Sequence, residues 1–193
     1  MFTFKNISIF AITLTLASMA LAQDKAGTMN AGAPKDAAAA PAGGPTDPQI
    51  AHIVVTADKI DIDAGKYAMT HSKNKDVKAF ARQMITDHTA VNGKATALVK
   101  KLKVTPEDND TSKALSKGAE DNMANLKKLK GADFDKAYVD HEVDYHQQVV
   151  DAIKNTLIPN AKNAELKKLL VATAPAIEAH LEHAKKIQAS FNK

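Results

Sequence analysis

From position 48 onward, apolar residues recur at intervals of three and four along most of the chain, the spacing of one face of an α-helix. The pattern predicts a first helix over about 48–71, with Ile50, Ile53, Val54, Ala57, Ala64 and Ala68 on one stripe. Thr46-Asp47-Pro48 supplies its start, a capping residue followed by proline in the first turn. A second helix is predicted over about 75–103 (Val77, Phe80, Ala81, Met84, Val91, Ala95, Leu98, Leu102), and Thr105-Pro106 breaks the chain after it. A shorter third helix over about 110–130 carries Leu115, Ala119, Met123, Leu126 and Leu129, and Lys130-Gly131 closes it. The fourth runs over about 133–157 (Val139, Val143, Val150, Ile153, Leu157) until Pro159-Asn160 turns the chain. The fifth runs over about 163–190 (Leu166, Leu169, Leu170, Ile177, Leu181, Ala184, Ile187). No strand-like alternation competes. Four long helices and one short one predict an all-α fold of two helical hairpins, helices 1–2 and 4–5, joined by helix 3 as a crossover. That is the arrangement of a ferritin-like four-helix bundle.

The first 46 residues break this pattern. Lys5 followed by the apolar run Ile7–Leu16, and then Ala20-Leu21-Ala22, has the three parts of a secretory signal, with cleavage expected after Ala22. The apolar run is short for a bilayer span. Residues 23–46 (QDKAGTMNAGAPKDAAAAPAGGPT) are low-complexity and hold only Met29 as a large apolar side chain. Such a stretch buries too little surface to offset its ordering entropy, and it reads as a disordered tether. The expected organisation is a signal peptide at 1–22, a tether at 23–46 and a helical domain at 47–193. The expected location is periplasmic or secreted, with no stable membrane insertion.

Composition narrows the chemistry. Among 193 residues there is no Cys, which excludes disulfides, thiolate catalysis, Cys-type zinc sites and a lipidated N-terminus. The formal net charge is +4. Its lysines (Lys100, Lys101, Lys103; Lys127, Lys128, Lys130; Lys167, Lys168; Lys185, Lys186) are spread along helix faces without interleaved aromatics or an Arg cluster. This is a pattern of solvated faces and helix C-termini rather than of a nucleic-acid surface. No Ser or Thr sits in a recognisable nucleophile setting.

The informative residues are the polar ones that fall on apolar stripes at about 100° per residue. Asp61 lies seven residues after Val54 and seven before Ala68. His88 lies four after Met84 and seven before Ala95. His146 lies between Val143 and Val150, with Glu142 one turn before it on the same face. His180 lies between Ile177 and Ala184. Each long helix thus points a carboxylate or an imidazole inward, at similar depths from the hairpin loops. Buried charges need partners. Two outcomes satisfy them: a hydrogen-bonded structural network, or a divalent metal ion held by Asp61, His88, Glu142, His146 and His180. The mixed nitrogen and oxygen set suits iron, zinc, manganese or copper rather than calcium or magnesium.

The remaining candidates rank lower. His52 and His141 fall opposite their stripes and are expected to be exposed. His71 sits at a helix end, and His183 flanks the stripe near His180. Asp63, Asp87 and Asp144 are flankers, and Tyr145 is placed to donate a hydrogen bond to the site. Pro175, inside helix 5, removes one backbone bond and is expected to kink or split the helix, leaving the carbonyls near Val171 unpaired.

Four blocks in this order carry a resemblance: Asp61-Ile62-Asp63-Ala64-Gly65-Lys66; Asp76-Val77-Lys78-Ala79-Phe80-Ala81 leading to Asp87-His88-Thr89; Phe134-Asp135-Lys136-Ala137-Tyr138 leading to His146; and Ala176-Ile177-Glu178-Ala179-His180-Leu181. Over about 50–190 the chain resembles the exported bacterial family "domain of unknown function 4142", which is grouped with ferritin-like folds and often labelled an outer membrane protein. The family's usual Glu four residues before the helix 1 Gly is Asp61 here, a shorter carboxylate. The two Glu-x-x-His pairs of di-iron ferritins are missing, so ferroxidase chemistry does not carry over. No barrel-strand alternation supports the outer-membrane label. Two functions stand: a metal-binding exported protein, or a non-catalytic module for envelope stress or scaffolding whose core network is purely structural.

Overall fold

The computed structural model describes residues 43–191; the expected signal peptide and most of the expected tether lie outside them. Within that range the chain is helical. The elements are α1 (Asp47–His71), α2 (Lys75–Leu102), α3 (Asp110–Leu126), α4 (Gly131–Ala152), a π-helical segment (Ile153–Leu157), a last α-turn α5 (Ile158–Asn160), and α6 (Ala164–Ser190). α6 is the fifth helix of the sequence pattern.

Local chemistry sets the boundaries. Thr46 caps α1 in a reciprocal box with Gln49, and Pro48 occupies the first turn, where its missing N–H removes no helical bond. Asn74 and Asn163 cap α2 and α6, each accepting two backbone N–H groups. Asn109 caps α3 in a second reciprocal box with Ser112. Gly131 sits at φ 58°, a left-handed conformation suited to glycine, where the chain turns from α3 into α4. α3 ends at Leu126, earlier than periodicity suggested, because Lys127–Leu129 tighten into three-residue turns.

Two other expectations are corrected here. The chain does not turn at Pro159-Asn160. The backbone widens to the π pattern, with the Ile158 N–H reaching the Ile153 carbonyl, and remains helical through Asn160. Nor does Pro175 split its helix, since α6 is continuous from Ala164 to Ser190. Pro175 and Val171 are both exposed, so the unpaired carbonyl lies on the water side, away from the core.

α1 packs most extensively on α2, and α4 on α6; α2 also meets α6. α1 and α4 touch less, and α3 lies mainly against α1 and reaches α4 across that sparser side. Asp47 pins the chain entering α6 by accepting from the Lys162 and Asn163 amides. The linker to α3 is held to α1 by Glu107 N–H on the Pro48 carbonyl and Asn109 on the Gln49 carbonyl.

The interior is two apolar cores with a polar layer between them. One core gathers Ala64, Ala68, Phe80, Met84, Tyr138 and Ile187 with their neighbours; the other gathers Ile50, Ile53, Ile153, Leu170, Ile177 and Leu181. On α1, α2 and α4 the inward Asp61, His88, Glu142 and His146 fall between the positions feeding these two clusters, and on α6 His180 falls between Ile177 and Ala184. Gly65 lets α1 and α2 approach closely: a Cβ there would meet the Ala81 carbonyl oxygen at 2.9 Å and Ile85 Cγ1 at 3.1 Å. Alanine normally improves a helix interior. Here Gly65→Ala is expected to lower stability by about 1–3 kcal/mol through overpacking, seen as a lower denaturant midpoint at unchanged m-value.

Candidate metal centre

All five residues singled out by the helical stripes are buried, none more than 2% exposed, and all lie in the polar layer. Their potential ligand atoms form two overlapping triads: His88, His146 and His180, and Asp61, Glu142 and His146. Within each triad one ligand atom per residue lies within 4.8 Å of the others. The imidazole ring centres are 5.3–5.7 Å apart, a nearly equilateral arrangement. His146 belongs to both triads, because Glu142 precedes it by one turn on α4 and the other helices converge on that turn.

Each histidine is held by one nitrogen and leaves the other free. His88 Nδ1 lies 2.8 Å from Asp58 Oδ1. His146 Nδ1 lies 2.9 Å from the Glu142 carbonyl, and His180 Nε2 lies 2.9 Å from Asp87 Oδ2. Carboxylate and carbonyl oxygens accept, so these nitrogens carry protons, and the opposite ones are turned inward. His88 Nε2, His146 Nε2 and His180 Nδ1 are buried and have no hydrogen-bond partner. This is how metal-ligating histidines are oriented, with the outer N–H donated to an acceptor and the inner nitrogen aimed at the ion.

The carboxylates present the same problem from the other side. Asp61 Oδ1 and Glu142 Oε2 are buried without partners, and Asp61 Oδ2 stands 3.4 Å from Nε2 of His88. Acceptors face acceptors. Desolvation first, and then each other's charge, hold the Asp61 carboxyl well above its ordinary range. Desolvation pushes Glu142 up to about 8. His146 moves the other way, down to about 3, from desolvation and then the neighbouring His88, while the bond to the Glu142 carbonyl opposes the shift. His180 is also lowered, by desolvation first, with Asp87 opposing. Imidazoles whose inner nitrogens lack partners and carboxyl groups short of positive charge are a donor set that fits a divalent cation, and the orphaned atoms are those the cation would satisfy.

Three participants escaped the sequence reading. Asp58, 4% exposed, orients His88. It lies three residues before Asp61 on the same helix face, which was the available signal. Asp87, ranked as a flanker, bonds to His180. Tyr138, one turn before Glu142 and fully buried, lies beside that carboxyl. Tyr145 was expected to donate to the site; its hydroxyl goes instead to the Ala57 carbonyl at 3.2 Å. His52 and His141 are half-buried rather than exposed, because α3 and the linker before it cover that side: His52 lies 3.9 Å from Asp108, and His141 Nδ1 is enclosed without a partner. His183 pairs with Gln83 at 3.0 Å, and His71 stacks on Tyr67.

Among the described residues no helix is long and apolar enough to cross a membrane. No curated protein matches the sequence. A solved structure described as CopM in the Cu(II)-bound form is similar in fold, with a TM-score of 0.59 over 75% of this chain and 98% of that one, at 18% identity. The four sequence blocks, the helical architecture they build and a match over residues 32–187 to the profile of the domain of unknown function DUF4142 place the chain in one family: it belongs to DUF4142.

Proposed function

We propose that this chain is an exported, ferritin-like four-helix-bundle protein that binds one divalent metal ion in the polar layer of its core. The ligands are His88, His146 and His180, with Asp61 and Glu142 supplying the anionic oxygens. The observation that carries the reading is the set of three buried imidazole nitrogens left free while the opposite nitrogen of each ring is tied to an acceptor. A purely structural network would be expected to pair its members with one another. Here three imidazole nitrogens and two carboxyl oxygens are left unpaired against one unpaired donor, the Tyr138 hydroxyl, and a cation or protons answer the excess of acceptors. The two inner carboxylates match the charge of a divalent ion, and Asp58 and Asp87 raise the basicity of the rings they hold.

Imidazole nitrogens with carboxylate oxygens and no sulfur suit zinc, copper(II), iron or manganese. Copper(II) is the first to test, because CopM, which is similar in fold, has been solved with that ion bound. The export reading rests on Lys5, the apolar run 7–16 and Ala20-Leu21-Ala22.

The test is elemental analysis of the full chain produced without a polyhistidine tag, before and after exposure to each of the four ions. One equivalent of a single ion that survives gel filtration is expected. If none of the four is retained, the scaffold reading takes its place.

A further inference from the structure

The fold collects lysines that the sequence spreads out. The α1–α2 connection, the end of α3, the start of α4 and the end of α6 lie at one end of the bundle, because Ala68, Val77, Leu126, Phe134 and Ile187 meet there in one apolar cluster. Lys73, Lys75 and Lys78 stand around Val77. Lys127, Lys128 and Lys130 follow Leu126, and Lys186 precedes Ile187. Lys78 is half-buried and the others are exposed. Among the described residues none of these lysines forms an ion pair, whereas Lys117, Lys136 and Lys185 nearby are each paired to an acid on their own helix. The acids within the segments 72–78, 127–133 and 186–191 are Asp76 and Asp133 alone. The opposite end is balanced: Lys101 pairs with Glu165 and Lys113 with Asp108, and the linker that begins at Lys103 also carries Glu107 and Asp110.

Helix stability does not account for these positions. The first turn of a helix carries partial positive charge and disfavours cations. Lys75 and Lys78 nonetheless open α2, with Lys73 just before its Asn74 cap. Lys130 stands at the N-cap position of α4, where Ser, Thr, Asp or Asn would accept a backbone N–H, and it makes no such bond. Lysines set where an acid or a short polar cap would hold the helix better have a use outside folding.

The residue types narrow the partner. No Arg lies in the three segments, and their one aromatic ring, Phe191, is packed against the apolar cluster. Bidentate phosphate clamps use Arg, single strands need exposed rings to stack on, and protein hot spots favour Trp, Tyr and Arg. Hydrated ammonium groups on flexible stems, gathered on one end of a bundle, suit a diffuse layer of phosphates. We propose that this end of the bundle docks peripherally on an anionic phospholipid surface, with the lysine ammonium groups against the headgroup phosphates. The surface is independent of the metal centre.

The test is co-sedimentation of the full chain with vesicles of phosphatidylcholine and phosphatidylglycerol in equal parts, beside vesicles of phosphatidylcholine alone. Every variant carries the same first 46 residues, so differences between variants report on the bundle. Wild type is expected to bind the mixed vesicles more tightly, and to lose that preference as salt approaches 1 M, where charges are screened within about 3 Å. Lys75→Glu with Lys78→Glu should weaken binding at least tenfold, roughly the loss for two lysines at such a surface. Lys167→Glu with Lys168→Glu changes the net charge equally, near the start of α6 at the opposite end, and should leave binding unchanged. Lys130→Ser should weaken binding roughly fivefold while raising the denaturant midpoint, because it caps α4. None of these variants is expected to fold less well than wild type, so lost binding cannot be put down to unfolding. Equal binding of wild type to both vesicle types, or equal losses in the two double variants, would overturn the proposal. So would duplex DNA that displaces the chain from the vesicles and binds it more tightly through the same lysines.

Discussion

His146→Ala abolishes the metal-dependent rise in melting temperature and leaves the helices standing. The wild-type chain, at free metal about a thousandfold above its dissociation constant, gains roughly 4 kcal/mol because the ion binds only the folded state. For a domain of this size that is on the order of 10 °C. His146 is the residue common to both triads, so its loss removes one nitrogen ligand from each. Helical content should persist, because the side chain bonds only to the carbonyl one turn back on its own helix. Circular dichroism at 222 nm, scanned with chelator and with each ion, reads both quantities. His52→Ala is the control: that ring lies beside Asp108, and the variant should keep the full shift. His141 is a poorer control, since it shares the lining of one cavity with Asp58, Asp61 and His88. Equal metal shifts in wild type and His146→Ala would remove His146 from the site and, with it, the two-triad geometry as the ligand set.

Glu142→Gln is expected to make the metal-free protein more stable at alkaline pH and unable to retain metal. The folded-state pKa of Glu142 is raised from 4.5 to about 8. Below 4.5 both states hold the proton and nothing is lost. As pH rises through the window up to 8, the unfolded chain releases its proton while the folded chain keeps it, so stability falls by about 1.4 kcal/mol per unit. His146 acts in the opposite direction. Its folded pKa is depressed from 6.5 to about 3, so its contribution is intact above 6.5 and is lost as pH falls toward 3. Between 4.5 and 6.5 the two slopes oppose each other; from 6.5 to 8 the contribution of His146 is complete, and Glu142 acts together with Asp61, whose carboxyl is raised by the same burial. The metal-free wild type should therefore lose about 2 kcal/mol or more over that last interval, and Glu142→Gln should lose less, because Asp61 alone is left to ionise. Urea melts at pH 6.5 and 8 in the presence of chelator measure the difference. A metal ion supplies the missing positive charge, so the loaded wild type should also escape the loss, with protons released on binding at pH 7. Parallel pH profiles for wild type and Glu142→Gln would mean that Glu142 ionises freely in the folded state, contrary to its burial. A variant this much better off without its carboxylate would mark a position kept for binding rather than for folding.

How far the sequence carries depends on whether a feature is local. Thr46, Asn74 and Asn163 announce helix starts because a cap is a bond between a side chain and the next turn. The five inward polar residues were readable because a stripe is a property of one helix, and the structure brings all five together. Pairings between helices were not readable. The bond from His180 to Asp87 depends on how α6 is rotated against α2, which no wheel drawn for one helix contains. The burial of His141 and His52 failed for a related reason: their side of the molecule would face water in four bare helices, and α3 with its linker covers it. Asp58 was a different kind of miss, since its position relative to Val54 and Asp61 already put it on the inward face. The tertiary consequence, its hold on the His88 ring across the α1–α2 interface, could not be read without the fold.

The π-helical segment at Ile153–Leu157 bears on how relatives of this chain are to be lined up. A turn closed five residues apart holds one residue more than the α-turn it replaces. A chain lacking that residue would run as a plain helix, with both flanks keeping their faces. Comparing the two position by position, with no gap, would put one flank a residue out, which on a helix is about 100° of rotation. The residue pair Glu142 and His146 before the segment and the Asn163 cap after it are fixed marks. An alignment anchored on both, with any gap confined to the wide turn, keeps core against core and polar layer against polar layer.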